Sequence, residues 1–375
     1  MKREGIHIRQ WLFAISFLLL AVACSSSDDE QTEEPQAATL TVYVYAPERP
    51  MLIRGSVGKV DATEAERTVY QLQIWVFEHS TGNLVGYLST DKTELLNTSG
   101  DQYRIVVSDD FARHKPQVDV YVLANVTESN CGISFNRYTS RDQLSSAKLD
   151  SNHFGVGSLT TEVPADGLPM AGVLINQDIV GDAPVLRIGS TNSIATVQLE
   201  RTISKVRFVF GTTGPTHPTI TGISLDANTL YTEGYLMKQS LTGLTLRNTS
   251  LPLLTTEFEV IRETTDPTQY LYDGQEAQVY ENLINTAVED EKLMVVGPYY
   301  LHESDKQLTG TITYRIGEEV TPHEMAFQMD AASDFLRNHS WIVYAYYTGT
   351  GLLQMNALYI KEWTTKEENH EVYNW

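Results

Sequence analysis

The sequence predicts an all-β protein of two tandem antiparallel β-sandwiches, and three observations carry that prediction. Apolar residues recur with period two in runs rich in β-branched and aromatic side chains. Turn-forming clusters separate the runs, and a helical period is hard to find. The chain has 375 residues, 42% of them hydrophobic and 10% aromatic, enough to build a sizeable core in about two domains of ~150 residues each.

The elements follow in chain order. Leu40-Thr41-Val42-Tyr43-Val44-Tyr45 alternates cleanly, with Leu40, Val42 and Val44 on one face. Ala46 to Gly58 contains Pro and Gly, and is expected to be an exposed, protease-accessible loop containing Arg49, Arg54 and Gly55. Further strands are expected at Gln71–Phe77, Val118–Leu123 and Lys205–Phe210. Turns are expected at Ser80-Thr81-Gly82-Asn83, Thr212-Thr213-Gly214-Pro215 and Thr348-Gly349-Thr350-Gly351. One short helix is expected between Thr139 and Leu149 with a Ser cap, and another short turn of helix between Asp330 and Leu336. The seam between the sandwiches is placed near Ser190 to Ser193, giving domains of about 55–195 and 196–375. At the C-terminal side, Leu352 to Ile360 and Trp363 to Trp375 are hydrophobic and strand-like, and a partner is expected for them.

The first residues read as an export signal. A basic start, Met1-Lys2-Arg3, precedes the apolar run Trp11 to Ala23, too short for the ~20 apolar residues of a membrane-spanning helix and suited to a secretory signal over 1–24. Leu20-Ala21-Val22-Ala23-Cys24 resembles a bacterial lipobox, with Ala21 where Leu is commonest, which makes Cys24 the expected lipidation (palmitate) site. Residues 25–35 are acidic and polar without an apolar residue, as a flexible tether would be.

Charge and motif content narrow the function. With 48 acidic and 27 basic residues the net charge is −21, which repels a phosphate backbone and excludes nucleic acid as a leading partner. The two cysteines, Cys24 and Cys131, form neither a disulfide framework nor a Cys/His cluster, and Cys131 reads as a buried small residue. There is no HExxH, GxGxxG after a strand, Walker loop or GxSxG elbow, so no metal, cofactor or enzymatic activity is expected. The acidic run Glu289-Asp290-Glu291 reads as a solvated loop.

Taken in order, several local motifs resemble the FimA-type fimbrillin family of Bacteroidales, the subunits of type V pili. They are the lipobox Cys24, the strand 39–45, Arg54-Gly55, the acidic loop with Glu64 and Glu66, and the strand Tyr70–Phe77. Further on come Val120-Tyr121-Val122-Leu123-Ala124-Asn125, Leu168-Pro169-Met170-Ala171-Gly172, Leu199–Phe208, Phe335–Trp341 with its Arg337-Asn338-His339 step, Lys361-Glu362-Trp363 and Trp375. The resemblance implies two transthyretin-like (Ig-like) sandwiches and a lipoprotein precursor carried to the outer membrane. It implies assembly by donor-strand exchange: an Arg-specific surface protease removes 25–54 with the first strand (Leu40, Val42, Val44), and the tail of a neighbouring subunit fills the gap. Arg54-Gly55 is the expected cut, because Pro50 after Arg49 makes a poor substrate and Arg67 opens an apparent strand.

Donor residues are expected within 352–375, among Met355, Leu358, Ile360, Trp363, Val372 and Trp375; a one-residue register slip exchanges the faces, so the register stays open. The implied partners are other copies of the chain, forming a homopolymer, with accessory anchor and tip subunits. Anchor and tip roles, and a surface glycan-binding lipoprotein, stay open alternatives. An uncut anchor subunit would keep the first strand, and in either case that strand is expected at a sheet edge.

Overall fold

The computed structural model describes residues 38–45, 63–95, 100–107, 114, 117–149, 162–175, 194–254, 256–271, 277–329 and 335–360. In the first half the strands are β1 (Ala38–Tyr45), β2 (Thr68–Glu78), β3 (Leu84–Leu95), β4 (Asp101–Val107), β5 (Val118–Ala124), β6 (Lys148–Leu149), β7 (Met170–Leu174), β8 (Ile194–Gln198) and β9 (Glu200–Arg201). Helices α1 (Glu64–Arg67), α2 (Glu128–Cys131) and α3 (Arg141–Ser146) lie among them. A three-stranded sheet, β4-β1-β8, faces a five-stranded sheet, β3-β2-β5-β7-β9. The core between them is aliphatic: Leu40, Val42 and Val44 of β1, Ile105 of β4 and Val197 of β8 pack with Ile74 and Val122. The other face of the larger sheet is also covered, which is why β5 is buried along its whole length.

The second half contains β10 (Ile203–Thr212), β11 (Pro218–Leu225), β12 (Gly234–Tyr235), β13 (Leu251–Pro252), β14 (Phe258–Glu259), β15 (Met294–His302), β16 (Thr309–Ile316), β17 (His323–Gln328), β18 (Ser340–Tyr347) and β19 (Gln354–Ile360). Sheet β15-β10-β18-β19 packs on a sheet in which β13 and β14 pair with opposite ends of one edge of β11, and β16 and then β17 follow on its other edge. Its core is more aromatic, with Phe208, Phe210, Tyr314, Phe327 and Trp341 buried. Helix α4 (Ala277–Glu289) lies on the outer face of the first of these sheets, burying Tyr280, Ile284 and Ala287 against Val209, Ile342 and Tyr344.

The all-β sandwich expectation holds, as do strands over Leu40–Tyr45, Gln71–Phe77, Val118–Leu123 and Lys205–Phe210. The short helix with a Ser cap is α3: Ser140 accepts from the Gln143 amide and Gln143 answers the Ser140 amide, a complete capping box. Four findings differ from the sequence reading. The sheets are not wholly antiparallel, since β1 runs parallel to β8 and β10 parallel to β18. β1 is not an edge strand: it is the middle of its sheet, because its apolar face completes the first core and both its edges find partners. The change of partners comes after Arg201 and not near 190–193, because β8 pairs with β1 and β9 with β7, whereas Ile203 begins pairing with β15. A 13-residue helix, α4, stands where no helical period was read.

The two halves share a plan absent from the sequence as a repeat. Each has a strand, β1 or β10, set between an antiparallel neighbour (β4 or β15) and a parallel one (β8 or β18). In the second half β19 then extends the sheet beyond β18.

Candidate functional site

The slot that holds β1 is built by two neighbours of opposite direction. β4 pairs with Ala38 through Val44, and β8 pairs with Thr41 through Tyr45. Leu40, Val42 and Val44 each have 0% of their surface exposed, so three consecutive inward positions are filled completely. At the C-terminal end, the Leu199 amide donates to the Tyr45 carbonyl at 3.0 Å. Gly100, at φ +84°, accepts the Tyr45 ring so closely that a Cβ there would stand 2.7 Å from it. Gly172 of β7 serves the other wall: a Cβ would lie 2.5 Å from the Gln198 carbonyl oxygen, so only glycine lets β8 pass this close.

Beyond the slot, the chain is fixed again at α1. Thr63 caps this helix in a capping box whose acidic member is Glu66, with the Thr63 amide donating to Glu66 Oε2 at 2.8 Å. Glu66 is buried and would be costly there as an isolated carboxylate. Residues of the second half satisfy it. Lys205 Nζ lies 3.2 and 3.3 Å from its two oxygens, and the Tyr300 hydroxyl donates to Oε1 at 2.5 Å. Arg201 donates to the Glu66 carbonyl at 3.2 and 3.3 Å and to Asn338 Oδ1 at 3.2 Å.

A second buried pair adjoins it. Arg337 Nε donates to Glu303 Oε1 at 2.8 Å, and its two terminal nitrogens donate to the carbonyls of Leu236 and Tyr235 at 2.7 Å. Asn338 takes φ +60° and donates its amide to the Ile203 carbonyl at 2.8 Å, and the Lys205 amide donates to the His339 carbonyl at 2.9 Å. Apolar groups seal this junction: Trp75, Phe77 and Leu123 of the first half share a cluster with Ile203, Leu236 and Tyr300. Asn125, φ +57°, closes the first half's side by accepting from the Tyr70 amide at 2.7 Å and donating to the Thr68 carbonyl at 2.8 Å.

The sequence-predicted residues are distributed as follows. Leu40, Val42 and Val44 come together as one filled row. Strand β19 carries Met355, Leu358 and Ile360 and pairs them in its own chain with Ala345, Ile342 and Ser340; Met355 is half-buried against the second core. Cys24, Arg54, Gly55, Trp363, Val372 and Trp375 lie outside the described residues, as do the side chains of Leu358 and Ile360. Arg67 ends α1, its Nε donating to the Thr63 carbonyl at 3.4 Å. Cys131 is buried, and desolvation pushes its thiol up to about 12, which leaves it protonated and unreactive. Glu289 ends α4, and Asp290 and Glu291 in the following turn pair with Lys292 and Arg262.

Among the described residues, no group of three or more His, Cys, Asp or Glu side chains is placed to hold a metal, and no helix is long and apolar enough to cross a membrane. The buried ionic junction joins motifs that stand apart in the sequence, Glu66, Leu199–Phe208 and Arg337-Asn338-His339, and no linear pattern shows that they meet. Two signals point to it: the Thr63-x-x-Glu66 capping box, and basic residues inside the otherwise apolar strand Ile203–Phe210.

No family model and no curated protein matches the chain. Among solved structures it is similar to a candidate cell adhesion protein from Parabacteroides distasonis, with 13% identity over 86% of this chain and 97% of that one and a TM-score of 0.47. It is similar to the C-terminally truncated tip fimbrial protein Mfa3 from Porphyromonas gingivalis, with 12% identity over 86% and 98% of the chains and a TM-score of 0.44. A fimbrial protein from Bacteroides vulgatus gives 10% identity over 87% and 100% with a TM-score of 0.37.

Proposed function

We propose that the chain is a structural subunit of a cell-surface fimbria, made as a lipoprotein and polymerised when an Arg-specific protease cuts after Arg54 and another subunit's C-terminal segment replaces β1. The observation that supports this reading most is the position of β1. It fills three core positions in the middle of a sheet, yet precedes every other described element, so one cut between Tyr45 and Thr63 severs it while interrupting no other described strand or helix. Arg54-Gly55 stands inside that interval.

The energetics favour replacement over vacancy. An empty slot would expose two rows of unpaired backbone groups on β4 and β8 and three apolar pockets. A strand refilling it gains about 1.5–3 kcal/mol per apolar side chain, on the order of 5–9 kcal/mol in all before ordering costs. Donor and acceptor lie at different places on one subunit, so the contact is head-to-tail and propagates as a filament. The donor lies within 352–375; residues 361–375, which contain Trp363, Val372 and Trp375, follow β19, which pairs with β18 of its own chain.

The test is N-terminal sequencing of the surface-recovered protein together with deletion of 361–375. Gly55 as first residue, and loss of detergent-resistant ladders in the deletion, are the expected results. Intact lipidated Cys24 as the sole surface form would contradict the reading and favour an uncut anchor.

A further inference from the structure

We propose that Arg137 and Tyr138 form a preset knob by which one copy of the chain seats on a carboxylate-lined hollow of a second copy, a contact separate from strand exchange.

The segment between α2 and α3 is short and anchored at several points. Thr139 donates its amide to the Asn136 carbonyl at 3.0 Å, which closes a four-residue turn with Arg137 and Tyr138 at its two corners. Side chains brace the turn from within. The Tyr138 amide donates to Asn136 Oδ1 at 2.8 Å, and the Asn136 amide donates to Thr139 Oγ1 at 3.0 Å. The sheet beneath fixes it from below: Trp75 of β2, fully buried, donates its ring N–H to the Asn136 carbonyl at 3.0 Å. The same ring meets Phe135 edge-on, with centroids 6.3 Å apart. Gln73 reaches the Phe135 carbonyl at 3.4 Å, and Ser140, next after the buried Thr139, caps α3.

The pair held up by this frame differs from the rest of the surface. Among the described residues Tyr138, 85% exposed, is the one aromatic side chain that stands mostly in water. The Arg137 guanidinium lies over its ring, 5.8 Å from the centroid, so cation and ring project as one unit. A turn corner is convex, whereas a small-molecule site is concave, so the knob fits a hollow on a macromolecule. Tyr and Arg are enriched among the side chains that dominate binding at protein interfaces, and here the cost of ordering their backbone is met before a partner arrives. A guanidinium selects carboxylates, which it binds through two parallel hydrogen bonds. The chain itself presents them, with 48 acidic residues against 27 basic ones. Two copies repel at a distance, but at physiological salt that repulsion is screened beyond about 8 Å, and a desolvated contact pair is screened much less. Knob and hollow are different surfaces, so the contact is heterologous. On the fimbrial reading above it ties neighbouring filaments side by side; the contact itself does not rest on that reading.

Sedimentation velocity of the uncut Arg54→Ala chain, from Ser25 onward, tests this with no strand exchanged. Over about 1–200 µM at physiological salt, the sedimentation coefficient is expected to rise with concentration. Tyr138→Ser and Arg137→Glu should each weaken the association about tenfold, and Tyr138→Phe, which keeps the ring, should stay within about twofold. Asn136→Ala loosens the turn with both side chains in place and should weaken the association about threefold. Arg137 and Tyr138 are both exposed, so melting midpoints of their variants should match the parent's, and a folding defect is read separately. A chain that stays monomeric across the range, or an association that Tyr138→Ser and Arg137→Glu leave unchanged, would overturn the proposal, as would an Asn136→Ala chain that associates like the parent. None of these results bears on the surface N-terminus, so this contact and the strand-exchange reading fail separately.

Discussion

Glu66 shows how much one side chain does. Its carboxylate accepts from the Thr63 amide at the start of the first helix and receives the Lys205 ammonium and the Tyr300 hydroxyl, while its backbone carbonyl accepts from Arg201. Removing one partner of a buried ion pair leaves an uncompensated charge, so Glu66→Gln is expected to destabilise the chain by about 3–5 kcal/mol in urea unfolding, with Lys205→Met in the same chain recovering much of the loss. No recovery would mean that the carboxylate acts mainly as the helix cap. At the surface, His217 stands between Glu263 at 2.9 Å and Glu259 at 3.2 Å, and its hydrogen bond to Glu263 raises its pKa above the usual value. A raised folded-state pKa stabilises fully below the unfolded value and is lost as pH climbs through the folded one. Between about pH 6.5 and the higher folded value, the native chain should therefore lose stability relative to His217→Ala. Parallel stability curves for the two proteins across that window would rule this out.

Among the elements, β1 contributes a full row to the first core through Leu40, Val42 and Val44. Leu40→Ala empties a fully buried position and is expected to cost the uncut chain about 2–5 kcal/mol in denaturant unfolding. A cost below about 1 kcal/mol would mean that the slot collapses without it. The sequence made β1 legible, since Leu40, Val42 and Val44 alternate without interruption, but alternation reports which face is buried and not how many neighbours a strand has. Its central place depends on the parallel partner β8, remote in sequence and short, with only Ala195 and Val197 facing inward. Helix α4 escaped for a related reason. Its inward row is the spaced trio Tyr280, Ile284 and Ala287, and Arg207 holds its Glu281 and Asn285 at 2.9 Å from the sheet below, so tertiary packing supplies what a weak local period does not announce. The ionic junction is legible only in pieces, because Glu66, the neighbouring Arg201 and Lys205, Tyr300 and Arg337 fall in four separate stretches of the sequence and nothing in a linear pattern pairs them.

Across the whole molecule, the two halves share an apolar cluster and the buried Lys205–Glu66 ion pair. Such sharing predicts a single cooperative unfolding transition, reported alike by Trp75 near the junction and Trp341 in the second core. Two resolved transitions would show that the halves unfold independently. On the proposed function, the first strand is a provisional part of the molecule, present in the precursor and exchanged in the fibre. N-terminal sequencing of subunits taken from surface fibres should then read Gly55; fibres whose subunits all still begin at lipidated Cys24 would refute the exchange.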